Sequence, residues 1–152
     1  DTIGDHTAAI EDYTRAIMLV PDLTNALNNR GLTFSKLGEF EQAIKDFTRV
    51  IEIEPTHVVA YNNRGETYFQ SGDYAQALAD FKKANDIQPG HLMFIGGQAV
   101  THHALGQDES AMNLWRLLVA MDDRYTDADW VGDQLNWSNP LIDEARLLIA
   151  KF

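Results

Sequence analysis

Apolar residues recur at helical spacing along most of the chain. In the segment 24–57, Leu27, Phe34 and Leu37 form one apolar stripe, which ends at Gly38. A second stripe follows, formed by Phe40, Ala43, Ile44, Phe47, Val50 and Ile51. Because a proline cannot continue a helix, Pro55 ends the second stripe. The pattern predicts two antiparallel helices joined by a short turn.

The same helix pair recurs at a fixed interval. Gly38, Gly72 and Gly106 are spaced by 34 residues. Four further series keep this spacing: Ala9, Ala43, Ala77 and Ala111; Tyr13, Phe47, Phe81 and Trp115; Pro21, Pro55 and Pro89; and Gly31 and Gly65, followed by Ala99. Small residues suit the close approach of two helices, and large aromatic residues fill the gap between pairs. The repetition predicts a stack of similar helix pairs.

A period of 34 residues with this pattern resembles the tetratricopeptide repeat, a helix–turn–helix unit. The resemblance is most complete at residues 24–57 and 58–91, which we expect to form two repeats. It implies an all-α fold, a right-handed superhelical solenoid of antiparallel helix pairs with C-terminal capping helices.

The repeat pattern is incomplete towards both ends of the chain. Residues 1–22 align only with the second helix of a repeat, so we expect a partial first repeat that lacks its first helix. Residues 92–123 keep the turn glycine Gly106 but carry Gly96 and Gly97 inside the first helix. This segment is predicted to be a degenerate repeat.

The period stops in the segment 124–152, which is predicted to form two short helices joined by a turn. Asn139 followed by Pro140 is a favourable helix start. The apolar face of the last helix consists of Leu141, Ala145, Leu148 and Phe152. Since a solenoid needs a terminal element that covers its open end, we expect these helices to be a cap. The alternative is that the last helix, or Trp130 and Trp137, docks on a partner.

The resemblance implies that binding takes place on the concave wall, which the first helix of each repeat builds. The residues of that face, offset from the core stripe, grade from amide-rich to apolar along the stack. The predicted peptide-binding groove consists of Asn25, Asn28, Asn29, Leu32, Ser35, Lys36, Val59, Asn62, Asn63, Glu66, Phe69, Gln70, Met93, Val100 and His103. The implied partner is an extended or helical segment of another protein.

Paired asparagines recur within this predicted groove, in Asn28-Asn29 and Asn62-Asn63. A carboxamide offers a donor and an acceptor, so it can satisfy a peptide group of an extended ligand. The arrangement resembles the asparagine ladder of peptide-binding family members, with Asn29 and Asn63 at the matching places. The alternative is that polar residues simply suit a solvated wall.

Two features of the motif depart from other family members. Chaperone-binding members hold a terminal carboxylate with a clamp of five residues, of which only Asn63 is present here. We therefore do not expect this chain to be a receptor for the C-terminal tail of a chaperone. Arg30 and Arg64 replace the usual leucine of the motif. We expect these arginines to lay their stems along the helices and to pair with a nearby carboxylate, which is a structural role.

Composition narrows the range of partners. Twelve basic and 23 acidic side chains give a net charge of −11, which repels nucleic-acid phosphates and anionic membranes. No apolar run is long enough for a membrane span, so we expect no membrane insertion. The absence of cysteine excludes disulfides, thiolate catalysis and cysteine-ligated zinc.

Cellular location stays open, with the cytoplasm favoured. The chain begins with Asp1 rather than Met and shows no leader, which indicates a fragment or a processed product.

Catalytic and metal-binding alternatives find little support in the sequence. His57 and His91 are equivalent in successive repeats, but neighbouring repeats lie about 10 Å apart, too far for one shared ion. His102 is expected in the core, at the position of Phe34 and Tyr68. The pairs Asp122-Asp123 and Asp127/Asp129 fall in a polar connection without a pocket to tune their acidity. We therefore predict a non-catalytic protein without cofactor or metal, and keep self-association through the uncovered N-terminal helix or the C-terminal helix as the alternative function.

Overall fold

The computed structural model describes residues 3–151, with side chains from residue 5 onwards. In this range the chain forms nine α-helices and one short 3₁₀ helix and contains no strand. The helices are α1 (Ile3–Leu19), α2 (Thr24–Lys36), α3 (Phe40–Ile53), α4 (Val58–Ser71), α5 (Tyr74–Ile87), α6 (Leu92–Ala104), α7 (Asp108–Met121), the 3₁₀ helix Asp123–Thr126, α8 (Ala128–Leu135) and α9 (Asn139–Ile149).

Successive helices pack as hairpins. Three pairs form in this way, α2 with α3, α4 with α5 and α6 with α7, and each pair stacks on the next through its second helix. The first helices α2, α4 and α6 also contact one another along one side of the stack. The turns within the pairs depend on Gly38, Gly72 and Gly106, whose φ angles of 77°, 85° and 71° lie in the left-handed region that glycine adopts without steric cost. The 34-residue glycine series is thus a series of helix ends.

Aromatic rings fill the space that small residues leave between the helices. Phe47 and Phe81 are fully buried. A Cβ atom on Gly31 would lie 2.8 Å from the Phe47 ring, and a Cβ atom on Gly97 would lie 2.8 Å from the Phe81 ring. Any residue larger than glycine at these two positions would therefore clash with the phenylalanine ring.

The C-terminal helices fold back on the stack. α9 packs against α8 and α6 and also reaches α4. Leu141, Ala145 and Leu148 are fully buried in the same core as Trp115, and the Trp137 ring lies 6.5 Å from the Trp115 ring. Of the predicted apolar face of this helix, only Phe152 lies outside the described residues. The last helix, α9, therefore lies against the first helices α4 and α6 of the stack.

Candidate functional site

Most accessible residues of the predicted groove lie on α2 and α4. Asn63 donates a hydrogen bond from Nδ2 to Asn28 Oδ1, with 3.1 Å between the two atoms. A second bond, of 3.2 Å, runs from Thr67 Oγ1 to Ser35 Oγ. Asn29 is exposed beside these contacts. Neighbouring first helices are therefore joined by side-chain hydrogen bonds, with carboxamide groups at the surface.

The α6 part of the predicted groove is covered. Val100 has no exposed surface, and the His103 side chain is only 8% exposed and hydrogen-bonded to the carboxylate of Glu144 on α9. Met93 is half-buried against the core. The expectation of an open groove wall here needs correction, because α9 lies on α6. The physical reason is that α6 is apolar around most of its circumference, and such a helix is stable when it is buried on every side.

Three other residues of the predicted groove are also less accessible than their helical positions indicated. Phe69 belongs to the core, where its ring lies 5.0 Å from that of Tyr74. Asn62 and Ser35 are buried. The remaining predicted positions on α2 and α4 keep exposed surface, namely Asn25, Asn28, Asn29, Leu32, Lys36, Val59, Asn63, Glu66 and Gln70.

A pocket of about 460 Å³ lies where the turn between α8 and α9 meets α2 and α4. We call it the turn pocket. Its wall consists of Leu32, Ser35, Lys36, Glu66, Gln70, Asn136, Trp137, Ser138, Asn139 and Pro140. The predicted groove did not include the residues of this turn. Trp137, directly before Ser138-Asn139-Pro140, is the sequence feature that could have pointed to this site. It predicted a turn, but it did not predict that the turn packs beside α2 and α4.

Glu66 is the acidic group of the turn pocket. Asn62 Nδ2 donates to Glu66 Oε1 over 3.0 Å. Burial raises the pKa of Glu66 to about 7, although the hydrogen bond from Asn62 favours the ionised form. Among the residues that the structure describes, none places a cation within ion-pair distance of this carboxyl group. Lys36 lines the same pocket without pairing with it.

The structure confirms the structural role predicted for Arg30 and Arg64. The Arg64 guanidinium donates from Nε and Nη2 to the two oxygens of Asp80, at 2.7 and 2.8 Å, and from Nη1 to Thr48 Oγ1 at 2.9 Å. Arg30 binds Asp46 and Thr14 in the same way. These arginines fasten helix pairs to one another and are not free to bind a ligand.

The histidines and acidic residues weighed as catalytic or metal-binding groups have local structural partners. His57 Nδ1 accepts a hydrogen bond from the backbone N–H of Ala60 and so caps α4. His91 stacks on Phe94, with 4.6 Å between ring centroids. His102 is buried, as predicted, with Nδ1 2.5 Å from Gln107 Oε1.

In the acidic connection, Asp122 pairs with Arg124, which lowers the pKa of that carboxyl, and Asp127 caps α8. Within residues 3–151, the structure contains no group of three or more side chains that could hold a metal ion. In the same range, no helix is both long and apolar enough to cross a membrane.

The family model described as tetratricopeptide repeat matches residues 24–57 and 58–91. No curated protein sequence matches the chain. The structure is similar to that of a tetratricopeptide repeat protein from Parabacteroides merdae, with a TM-score of 0.77, 25% identity and coverage of 97% of this chain and 58% of that one.

Two further solved structures are similar. The crystal structure of MamA has a TM-score of 0.75 at 18% identity, with 97% of this chain and 86% of that chain covered. The first tetratricopeptide-repeat domain of Spaghetti (RPAP3), solved with the HSP90 peptide SRMEEVD, has a TM-score of 0.65 at 18% identity, with 84% and 91% covered. At these identities the likeness concerns the fold, and it confirms the predicted all-α solenoid. The match of the family model to two stacked helix pairs, together with the 34-residue period, shows that residues 24–91 form two tetratricopeptide repeats.

Proposed function

We propose that this protein is a non-catalytic interaction module that binds an extended or helical segment of another protein on the concave face of α2 and α4, as a scaffold or adaptor. The observation that carries the proposal is the group of carboxamides on neighbouring first helices, with Asn29 exposed and Asn63 hydrogen-bonded to Asn28. A protein-interaction role agrees with the tetratricopeptide-repeat fold.

The spacing of these amides suits an extended peptide. Packed helices lie about 8–10 Å apart, and an extended chain advances about 3.3 Å per residue. Equivalent asparagines on α2 and α4, such as Asn29 and Asn63, are therefore about three residues of peptide apart. Each carboxamide can donate to a peptide carbonyl and accept from a peptide N–H, and the Asn63–Asn28 bond can be exchanged for such contacts without loss of hydrogen bonding.

The peptide-bound relative supports peptide binding by this fold but not a shared ligand. The Spaghetti domain was solved with an HSP90 peptide. In this chain, Asn28, Met93 and Gly97 occupy the positions where basic residues of the chaperone-binding clamp are expected, so we do not propose a chaperone tail as the partner. The partner segment is defined here by its backbone, which the carboxamides recognise.

Selection from a displayed library of random peptides on the intact 152-residue chain tests the proposal. We expect selected peptides to shift the NMR amide signals of α2 and α4 on their concave side, including those of Asn29 and Asn63. If no peptide binds, or if the shifts map only to the second helices α3 and α5, the proposal is wrong.

A second candidate function is self-association through α1, favoured by apolar surface at its end. Met18 and Leu19 are 78% and 84% exposed, and among the described helices α1 has its main packing contact with α2 alone. A second copy could cover this surface. Light scattering over a range of concentrations tests this candidate. A mass that rises with concentration, and that returns to the monomer value in the double variant Met18→Asp with Leu19→Asp, supports self-association. A constant monomer mass excludes it.

A further inference from the structure

The turn pocket combines one acidic group with a lining that is mostly polar and contains a few apolar side chains. Glu66 lies in the wall formed by α4, where Asn62 donates to one of its two carboxyl oxygens. No residue in the described part of the chain donates a hydrogen bond to the other oxygen. Leu32 on α2 and Trp137 and Pro140 on the turn supply apolar surface to the same pocket. Glu66 is half-buried, and a partly desolvated carboxylate without a cation is destabilising, so a ligand that brings a cation would be favoured.

The shape and polarity of the pocket define the chemistry of such a ligand. A lysine or arginine side chain has an apolar stem and a cationic end, and it buries the stem along apolar surface while the end reaches a polar partner. A pocket of about 460 Å³ has room for one such side chain. Gln70 and Asn139 offer amide oxygens to the remaining donors of the cationic group. An anionic side chain would instead face Glu66 and be repelled.

We propose that the turn pocket binds a lysine or arginine side chain of the segment that lies on the concave face, with the Glu66 carboxylate as its counter-ion. This inference rests on the proposed function, since the side chain belongs to the bound peptide. The asparagine ladder recognises only the peptide backbone. The turn pocket would add a site that distinguishes one peptide sequence from another.

The charge of the whole protein acts in the same direction. A net charge of −11 attracts cationic segments and raises their rate of encounter. Lys36 on α2 is the basic residue in the wall of the pocket, and the turn of residues 136–140 contains no ionisable side chain. Lys36 therefore opposes the bound cation, and its removal should strengthen binding where loss of Glu66 weakens it.

Peptides from the displayed library, once shown by NMR to bind the α2 and α4 face, provide the probe. We expect one position to be enriched in lysine or arginine. Replacing that residue by norleucine, which keeps the stem and removes the charge, should weaken binding to the intact chain by about tenfold or more. Glu66→Gln should cause a similar loss for the basic peptide and none for the norleucine peptide, and Lys36→Gln should tighten binding of the basic peptide.

Glu41→Gln is the matched control, because Glu41 is an exposed carboxylate on α3, outside the pocket. Its affinity for the basic peptide should equal that of the unsubstituted chain. Concave-face peptides without a basic position, or equal binding of the lysine and norleucine peptides, overturn this inference and leave the proposed function intact. Absence of any concave-face peptide overturns both. Because the norleucine comparison uses the unsubstituted chain, it stands even if Glu66→Gln disturbs the fold.

Discussion

Arg30 and Arg64 each join three helices through one guanidinium group. Arg64 on α4 reaches Thr48 on α3 and Asp80 on α5, and Arg30 makes the equivalent contacts with α1 and α3. Planar, two-pronged pairing fits arginine and a carboxylate better than any other pair of side chains. In the next pair the corresponding residues are Gln98 and Leu114, so the network is not repeated there.

The Asp80 carboxylate depends on its arginine. Its side chain is only 8% exposed, so Arg64→Gln would leave an uncompensated buried charge and should lower the free energy of unfolding by about 3–5 kcal/mol. Adding Asp80→Leu recreates the combination found at Gln98 and Leu114 and should recover most of that loss. Urea denaturation of the three proteins measures both effects, and a double variant no more stable than the single one would contradict this account.

Glu66 should make stability depend on pH. Its pKa is raised from 4.5 to about 7 in the folded chain, so the folded state holds this proton more tightly than the unfolded state does. The resulting stability is fully present below about pH 4.5 and is lost as the pH rises through 7. Glu66→Gln removes this loss. Its melting temperature relative to the unsubstituted chain should therefore increase between pH 4.5 and pH 8.

The ionisable groups that face Glu66 are few. Lys36 on α2 lines the same pocket, and the turn of residues 136–140 has none. Glu41→Gln, at an exposed position on α3, provides the comparison and should not reproduce the trend. A difference in melting temperature that stays constant across the pH range would show that Glu66 does not titrate as described.

At the scale of helices, α6 is the one whose surroundings differ most from the prediction, because it is more deeply buried than expected. Two adjacent glycines suggested a weak helix in a degenerate repeat, because each glycine in a helix costs about 1 kcal/mol. In the structure they admit rings from two sides: a Cβ atom on Gly96 would lie 2.9 Å from Trp137, and one on Gly97 would lie 2.8 Å from Phe81. The glycines weaken the isolated helix and permit its burial.

Periodicity predicted the helices well because it is a local property. The stripes, the turn glycines and Asn139-Pro140 each identify a helix or its end within a few residues. The docking of α9 on α6 and α4 depends on contacts between residues far apart in the chain, which no local pattern specifies. Val100 and His103 were for this reason placed in an open groove, although they lie beneath α9.

Phe81 fills the junction between two helix pairs. It has no exposed surface and its ring faces both Gly65 and Gly97. Phe81→Ala should lower the free energy of unfolding by about 3–5 kcal/mol, and Phe47→Ala in the preceding junction should do the same. Leu117→Ala, at a position that is 49% exposed, should change it by less than about 0.5 kcal/mol. Thermal or urea melts measure all three, and a nearly neutral Phe81→Ala would mean that the repeats are wrongly aligned.

Removal of the chain after Asp129 separates the capping role of the C-terminal helices from a partner-binding role. The truncation uncovers Val100 and Trp115, and the stability of a solenoid is roughly a sum over neighbouring interfaces. We expect the truncated protein to melt several degrees lower and to aggregate. If these helices are instead an arm for a partner, the melting temperature should stay unchanged while partner binding is lost.

At the scale of the molecule, two parts of the predicted groove differ in accessibility. The α6 side is closed by α9, and the α2 and α4 side stays open, with carboxamides at its surface and the turn pocket at its edge. The helices of the stack could be predicted from the sequence. The limits of the open surface could not, since they are set by a segment outside the repeat pattern that folds back on it.

The central claim is that the asparagines of α2 and α4 bind the backbone of a partner segment. Calorimetry of a library-selected peptide against the chain with Asn29→Ala and Asn63→Ala tests it most directly, with Gln42→Ala on the exposed side of α3 as the control. Each amide contributes about 1 kcal/mol or more to a desolvated peptide contact and little to folding. We predict that the double variant binds at least about tenfold more weakly, with a nearly unchanged melting temperature, while the control binds normally. Equal affinity for the double variant and the unsubstituted chain would contradict the claim.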